Sequence, residues 1–190
     1  MALSVAVAVG DAAADLLVSK MAEAMTTLKI GPCHDANNDF GPVITKQHQQ
    51  KVFGYIDSAE NQGATIVVDG RNPSVTGHEN GFYVGGTLID QVTPEMESYD
   101  AEIFGPVLTI QTFRTIDEVI QKANNSPYGL AAGVWTDKGS RIFNLTSKLR
   151  AGVIWANTYN KFDPASPFGG YKESGFGREG GLHGLEAYLK

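Results

Sequence analysis

The stretch D-A-E-I-F-G-P-V-L-T-I, residues 100 to 110, puts a carboxylate, Glu102, and an aromatic ring, Phe104, where a charged connector meets a β-rich run. Gly105-Pro106 fixes the entry to that run. A carboxylate can accept two hydrogen bonds from a vicinal diol, and an aromatic side chain beside it can contact a flat ring. A solvated glutamate at a strand start has the same sequence, so the residues alone leave both readings open. Cys33, the single cysteine, lies in the connector K-I-G-P-C-H-D-A-N-N-D with His34 beside it. Adjacent residues on an extended segment point to opposite sides and make a poor thiolate–imidazole pair, so Cys33 is read as structural or incidental. One cysteine allows no disulfide within the chain and points to a reducing compartment. His34, His48, His78 and His183 are scattered, without metal-binding spacing.

Gly175-Phe-Gly177-Arg-Glu-Gly180 matches G-x-G-x-x-G letter for letter. A dinucleotide loop of that form needs a strand before it, a helix after it and an acid about 20 residues further on. Here a Pro- and Gly-rich loop precedes the motif and ten residues follow it. The motif is read as a close-packed loop leading into a last helix, L-H-G-L-E-A-Y-L-K.

Elements must position these residues. Alternation over Val5, Ala6, Val7, Ala8 and Val9 predicts a short buried strand. Asp11 is expected to cap a helix running towards Ile30, with Leu16, Leu17, Met21, Ala24, Met25 and Leu28 as its apolar stripe. Gly31-Pro32 stops it, and a polar connector runs to Gly41-Pro42. A second helix is expected from Thr45, with Val52, Ile56 and Ala59 inward and Gly63 as its end. Residues 64 to 70 read as a strand, 71 to 81 as a loop, 82 to 89 as extended, and 106 to 113 as a strand. Thr115 and Glu118 form a capping box that opens a helix through Val119, Ile120 and Ala123. Residues 124 to 129 are turn chemistry and L-A-A-G-V-W-T a strand. Asp137 is expected to cap a helix with Ile142, Leu145 and Leu149 inward. Gly152 ends that helix, and V-I-W-A-N, 153 to 157, is a strand. This alternation predicts an α/β fold with a mainly parallel sheet flanked by helices.

The 190 residues suit one domain, and 15 basic against 21 acidic residues give a formal charge of −6. That balance argues against nucleic-acid binding, which needs clustered Lys and Arg. No segment has the length of a membrane span. The opening M-A-L-S-V-A-V-A-V-G lacks the basic start of a secretory signal, and Gly10-Asp11 interrupts it. A chain that starts inside a core element is expected to lack something upstream. Asn124-Asn-Ser126 and Asn144-Leu-Thr146 are read as chance matches to the glycosylation pattern.

The segments E-I-F-G-P-V (102 to 107), N-N-S-P-Y-G-L-A-A-G-V-W-T (124 to 136), N-T-Y (157 to 159) and S-P-F-G-G-Y-K-E-S-G-F-G-R-E (166 to 179) together resemble the aldehyde dehydrogenase superfamily. Their order and spacing match over nearly all 190 residues. The resemblance implies the fold of that family's catalytic domain as one domain over 1–190, the upstream cofactor domain being absent. Residues 169–190 would be a Gly-rich loop and C-terminal helix leading to the oligomerisation region. Glu102 would hold the nicotinamide ribose hydroxyls, and Phe104 would contact the nicotinamide side. Phe162 and Phe168 would line the aldehyde tunnel, and Asn157 would stand near the active site. Glu179 matches a carboxylate that some members use in proton relay, with a surface glutamate as the alternative.

The implied reaction oxidises an aldehyde with NAD or NADP: a cysteine thiolate adds to the carbonyl, and water or coenzyme A releases the acyl group. The resemblance puts that cysteine just before Met1 and the general base further upstream, so the isolated chain is expected to be inactive. M-A-L-S-V-A-V-A-V-G, D-F-G-P-V-I-T and residues 67 to 96 are especially similar to methylmalonate-semialdehyde dehydrogenases, which use NAD and coenzyme A. From about residue 114 the likeness shifts to hydrolytic members. The expected partners are a small aldehyde substrate and further copies of the chain, with neither nucleic acid nor membrane, in the cytoplasm. The rival reading is a non-catalytic pseudoenzyme, or an oligomerisation or interaction module.

Overall fold

Val5–Val9 forms strand β1, as the alternation predicts, but only Ala8 is buried and Val9 is 59% exposed. The structure, a computed structural model, describes residues 2–189 in two compact units, 2–113 and 114–189. Met1 and Lys190, at the ends of the opening run and of the expected last helix, lie outside the described residues.

In the first unit β1 is followed by α1 (Gly10–Thr26), α2 (Lys46–Asn61), β2 (Thr65–Val68), β3 (Thr87–Asp90), the short α3 (Glu97–Asp100) and β4 (Val107–Phe113). The sheet order is β1-β4-β3-β2, with β4 parallel to both β1 and β3, and β2 antiparallel at one edge. β1 is the other edge, which is why it is half-buried rather than buried. Alternate residues of a strand face opposite sides, and both sides of β3 and β4 are covered. Leu88, Leu108 and Ile110 meet Leu17, Val18, Met21, Ala22 and Met25 of α1. Ile89 and Val107 meet Val52, Ile56 and Ala59 of α2, together with Val84 and Ile103.

α2 forms as its sequence predicts. Thr45 Oγ1 accepts the His48 N–H at 3.1 Å, and Val52, Ile56 and Ala59 are fully buried. α1 departs from expectation. It starts at Gly10, so Asp11 lies inside its first turn, where a negative charge suits the helix N-terminus. It ends at Thr26, short of Ile30. The hydroxyls of Thr26 and Thr27 donate back to the carbonyls of Glu23 and Ala24, and Lys29 N–H is drawn to Asp39 Oδ2 at 2.7 Å. Its inward stripe is offset too: Leu16 is 58% exposed, Ala24 is also exposed, Leu28 falls beyond the helix, and Val18 and Ala22 pack instead. Of 82 to 89 only the end is strand, since Gly85 N–H pairs with Gly70 O at 2.7 Å outside the ladder.

The second unit contains α4 (Ile116–Asn124), β5 (Tyr128–Gly129), β6 (Ala131–Val134), α5 (Gly139–Lys148), β7 (Val153–Ala156), β8 (Tyr171–Lys172) and α6 (Gly181–Glu186). β6 and β7 pair in parallel, and β5 and β8 antiparallel. Across the chain the fold is α/β with a mostly parallel sheet flanked by helices. The capping box at α4 forms in modified shape: Thr115 Oγ1 accepts the Glu118 N–H, while the Glu118 carboxylate takes the Arg114 N–H at 2.9 Å. Asp137 does not cap α5. The helix starts two residues later, with Lys138 in the capping position and no side-chain bond. The turn expected at 124 to 129 ends in strand, because Tyr128 and Gly129 find partners in Lys172 and Tyr171.

Candidate functional site

The structure places the sequence-derived candidates in two groups, one in each unit. In the first unit, Glu102 and Phe104 flank Ile103, whose side chain is buried in the core beside α2. Both flanking side chains are exposed, the Phe104 ring by 74%. Phe104 has φ +54°, left-handed backbone that an aromatic residue seldom adopts. Such a residue costs on the order of 1–3 kcal/mol and persists where its surroundings hold it, often at ligand sites. Gly105 follows because space demands it. A Cβ there would come within 2.8 Å of Val52 Cγ1 on α2. Pro106 then enters the sheet, its carbonyl accepting Thr87 N–H at 2.8 Å. The Phe104 carbonyl lies 2.7 Å from His48 Nε2. The result is an outward-facing carboxylate and ring on a turn anchored by Ile103 and Gly105.

In the second unit, Phe162 and Phe168 meet edge to face with centroids 5.1 Å apart. They continue a run of rings that the sequence reading did not single out. Phe162 meets Trp155 at 5.4 Å, Trp155 meets Tyr159 at 4.9 Å, and Tyr159 stacks with Trp135 at 6.2 Å. Edge-to-face and offset pairs of this kind add about 0.5–1.5 kcal/mol each beyond area burial. Trp155 Nε1 donates to Lys161 O at 2.9 Å, which ties the loop carrying Phe162 to β7. Burial pushes the Tyr159 phenol above its usual pKa. Gly133, opposite Trp155 in the β6–β7 register, leaves room for these rings: a Cβ there would meet Trp135 and Tyr159.

Asn157 also has a left-handed φ, +53°. Its Oδ1 accepts Thr136 N–H at 2.9 Å and its Nδ2 donates to Thr136 O at 3.0 Å, so the amide extends the β6–β7 pairing. Glu179 is exposed, and its backbone forms a two-bond bridge with Phe168, at 2.7 and 2.8 Å. It borders a cleft with Pro164, Leu182, Leu185 and Tyr188. The G-x-G-x-x-G segment is loop, pinned by Arg178, whose Nη1 donates to Gly170 O and Gly177 O. Lys172 donates to the carbonyls of Asn124 and Ser126 at 2.9 and 2.8 Å, holding β8 to the end of α4.

Cys33 is exposed in a turn, packed against Gly41, where a Cβ would overlap its Sγ. Among the described residues no group of three or more His, Cys, Asp or Glu is placed to hold a metal ion. No helix among them is long and apolar enough to cross a membrane.

The aldehyde dehydrogenase family model matches residues 1–190. The chain is 44% identical over 178 residues to a malonate-semialdehyde dehydrogenase of Pseudomonas aeruginosa, 93% of this chain and 36% of the relative. It superposes with a TM-score of 0.94 on the crystal structure of methylmalonate-semialdehyde dehydrogenase DddC from Oceanimonas doudoroffii. That likeness has 51% identity and covers 100% of this chain and 39% of the other. Against an NAD+ complex of aldehyde dehydrogenase from Bacillus cereus the TM-score is 0.91 at 36% identity, over 98% of this chain and 37% of that one. The chain thus spans about a third of the length of the curated relatives it matches. With the fold and the matched residues in agreement, the chain belongs to the aldehyde dehydrogenase family.

Proposed function

We propose that these 190 residues are the part of an NAD(P)-dependent aldehyde dehydrogenase that grips the nicotinamide riboside of the cofactor and lines the aldehyde path. The observation that carries this reading is the Glu102–Phe104 turn. It holds an exposed carboxylate and an exposed ring around one buried residue, on backbone strained at Phe104. That pairing of an acceptor and a ring fits a ribose diol beside a flat ring. NAD or NADP, when bound, supplies the electron acceptor for aldehyde oxidation. Glu102 accepts hydrogen bonds from the diol, and Phe104 lies against the nicotinamide side. Phe162 and Phe168 form an apolar wall that excludes water from a small aldehyde. Asn157 keeps the β6–β7 end in register beside that wall. Glu179 is exposed and carries a proton-relay role only as a carboxylate open to water.

In this reading the nucleophile and the general base come from residues outside this segment, and Cys33 takes no part. The acyl acceptor in this reading is water or coenzyme A. Exposed Phe176, Leu182, Leu185 and Tyr188 support a homo-oligomer.

Two assays test the reading. The 190-residue chain, incubated with NAD or NADP and a short aldehyde, is expected to form no reduced cofactor above background. Turnover abolished by Cys33→Ala would overturn the placing of the nucleophile elsewhere. In a chimaera with this segment in place of its counterpart in the Oceanimonas enzyme, Glu102→Gln is expected to raise the KM for NAD roughly tenfold or more. This is the scale of a hydrogen bond to a charged group. An unchanged KM would remove Glu102 from the cofactor site.

A further inference from the structure

We propose that His48 is a positioning residue that locks the Glu102–Phe104 turn into its outward-facing form. His48 stands third in α2, after the capping residue Thr45, where a capping box would have Glu or Gln. Its backbone N–H is held by Thr45 Oγ1, which leaves its ring free of the capping role. The ring reaches 56 residues along the chain to the Phe104 carbonyl, 2.7 Å from Nε2. A carbonyl only accepts, so Nε2 carries the proton, and the bond stands whether the ring is neutral or cationic.

The bond falls between the turn's two anchors, Ile103 and Gly105. On one side Ile103 is buried in the core. On the other, Val107 N–H bonds back to Gly105 O at 2.8 Å, and Pro106 O accepts Thr87 N–H. Between these anchors the Phe104 peptide has two ways to lie. An extended φ at Phe104 would relieve the strain and swing both carbonyl and ring away from their present directions. Among the described residues, the His48 bond is the hydrogen bond made to residues 102 to 104, and it selects the strained form. Gly105 lets α2 come close enough for it, since any side chain there would strike Val52. His48 thereby acts on cofactor binding through Phe104 and Glu102, without touching the cofactor itself. This role deepens the cofactor reading above and rests on it for its functional consequence, though not for the turn's geometry.

The test has one structural and one kinetic arm, each with His48→Leu and the conservative donor His48→Gln. In the 190-residue chain, NMR reads the short intraresidue distance from amide proton to Hα that marks a left-handed residue. Its strong cross-peak at Phe104 is expected in the parent and in His48→Gln, and is expected to weaken in His48→Leu. In the chimaera, His48→Leu is expected to raise the KM for NAD about three- to tenfold with kcat little changed, the scale of one neutral hydrogen bond, and His48→Gln to restore it. A Phe104 cross-peak unchanged in His48→Leu overturns the positioning role. A cross-peak lost in His48→Leu while Glu102→Gln leaves the KM unchanged supports the lock and removes the cofactor reading instead. An effect on KM that His48→Gln fails to restore, with the cross-peak intact, also counts against the lock.

Discussion

The two units are built by different physics. Of the buried apolar side chains, all but Val134 and Trp155 lie in residues 2–113, where helices cover both faces of β3 and β4. Residues 114–189 are instead held by ring-to-ring contact and by close approach of backbone at glycines. A Cβ on Gly152 would overlap the Gly169 carbonyl oxygen, and one on Gly129 would come within 2.5 Å of Arg150 O. The same unit leaves Trp135, Phe143, Phe162, Tyr171 and Phe176 exposed. One unit therefore stands on an apolar core that offers a small, strained, polar-and-aromatic turn at its rim. The other leaves many of its aromatic residues at the surface while Trp155 stays buried.

Leu88→Ala should break the first unit most severely. Leu88 is fully buried, and its truncation should remove about 2–5 kcal/mol of stability, read by chemical denaturation with far-UV circular dichroism, to which α1 and α2 contribute most. A loss well under 1 kcal/mol would mean that this core is not what holds the unit. Gly152→Ala should act on the second unit by forcing backbone apart, at about 1–3 kcal/mol. Both tryptophans, Trp135 and Trp155, lie in that unit, so fluorescence reads it selectively. The fluorescence transition should move to lower denaturant while the dichroism transition stays. If both move together, the units unfold as one and the contrast fails.

The smallest effect is a charge effect. The Arg71 guanidinium hydrogen-bonds Asp69 and holds its carboxyl below the usual range. A depressed folded pKa stabilises above the unfolded value, near about pH 4, and that contribution is lost as pH falls through the folded value. Asp69 is about half exposed, so the loss on acidification should be at most about 1 kcal/mol. Arg71→Met should flatten this part of the pH profile in the dichroism transition. An unaltered acid slope would show that the cluster contributes nothing to the first unit.

What was legible in the sequence followed the range of the interactions. The α2 helix was readable because its cap and its Val52, Ile56 and Ala59 stripe are local, and the α4 cap was readable for the same reason. Asp11 and Asp137 have cap chemistry but the wrong address: the helices begin at Gly10 and Gly139, straight after extended backbone at Val9 and Lys138 whose side chains make no cap bond. The α1 stripe is ambiguous in sequence because Leu16 and Ala24 share the helical spacing of the residues that pack, and only contact with Leu88 and Leu108 separates them. In the site, Glu102 and Phe104 stand out as a carboxylate and a ring at the entry to a strand, and the resemblance supplies their role. His48 looked like one of four scattered histidines, because its partner lies 56 residues away across a packed loop. The ring series through Trp155 was likewise invisible until β6 and β7 paired.

The most direct test of the central claim pairs Glu102 with the ribose diol it is held to grip. NAD and an analogue lacking the 2′-hydroxyl of the nicotinamide ribose are titrated against the chimaera and its Glu102→Gln variant. If the carboxylate accepts from the diol, Glu102→Gln should weaken NAD roughly tenfold or more and the deoxy analogue far less, a coupling on the order of 1–2 kcal/mol. Equal losses for both ligands, or none for either, would contradict the account.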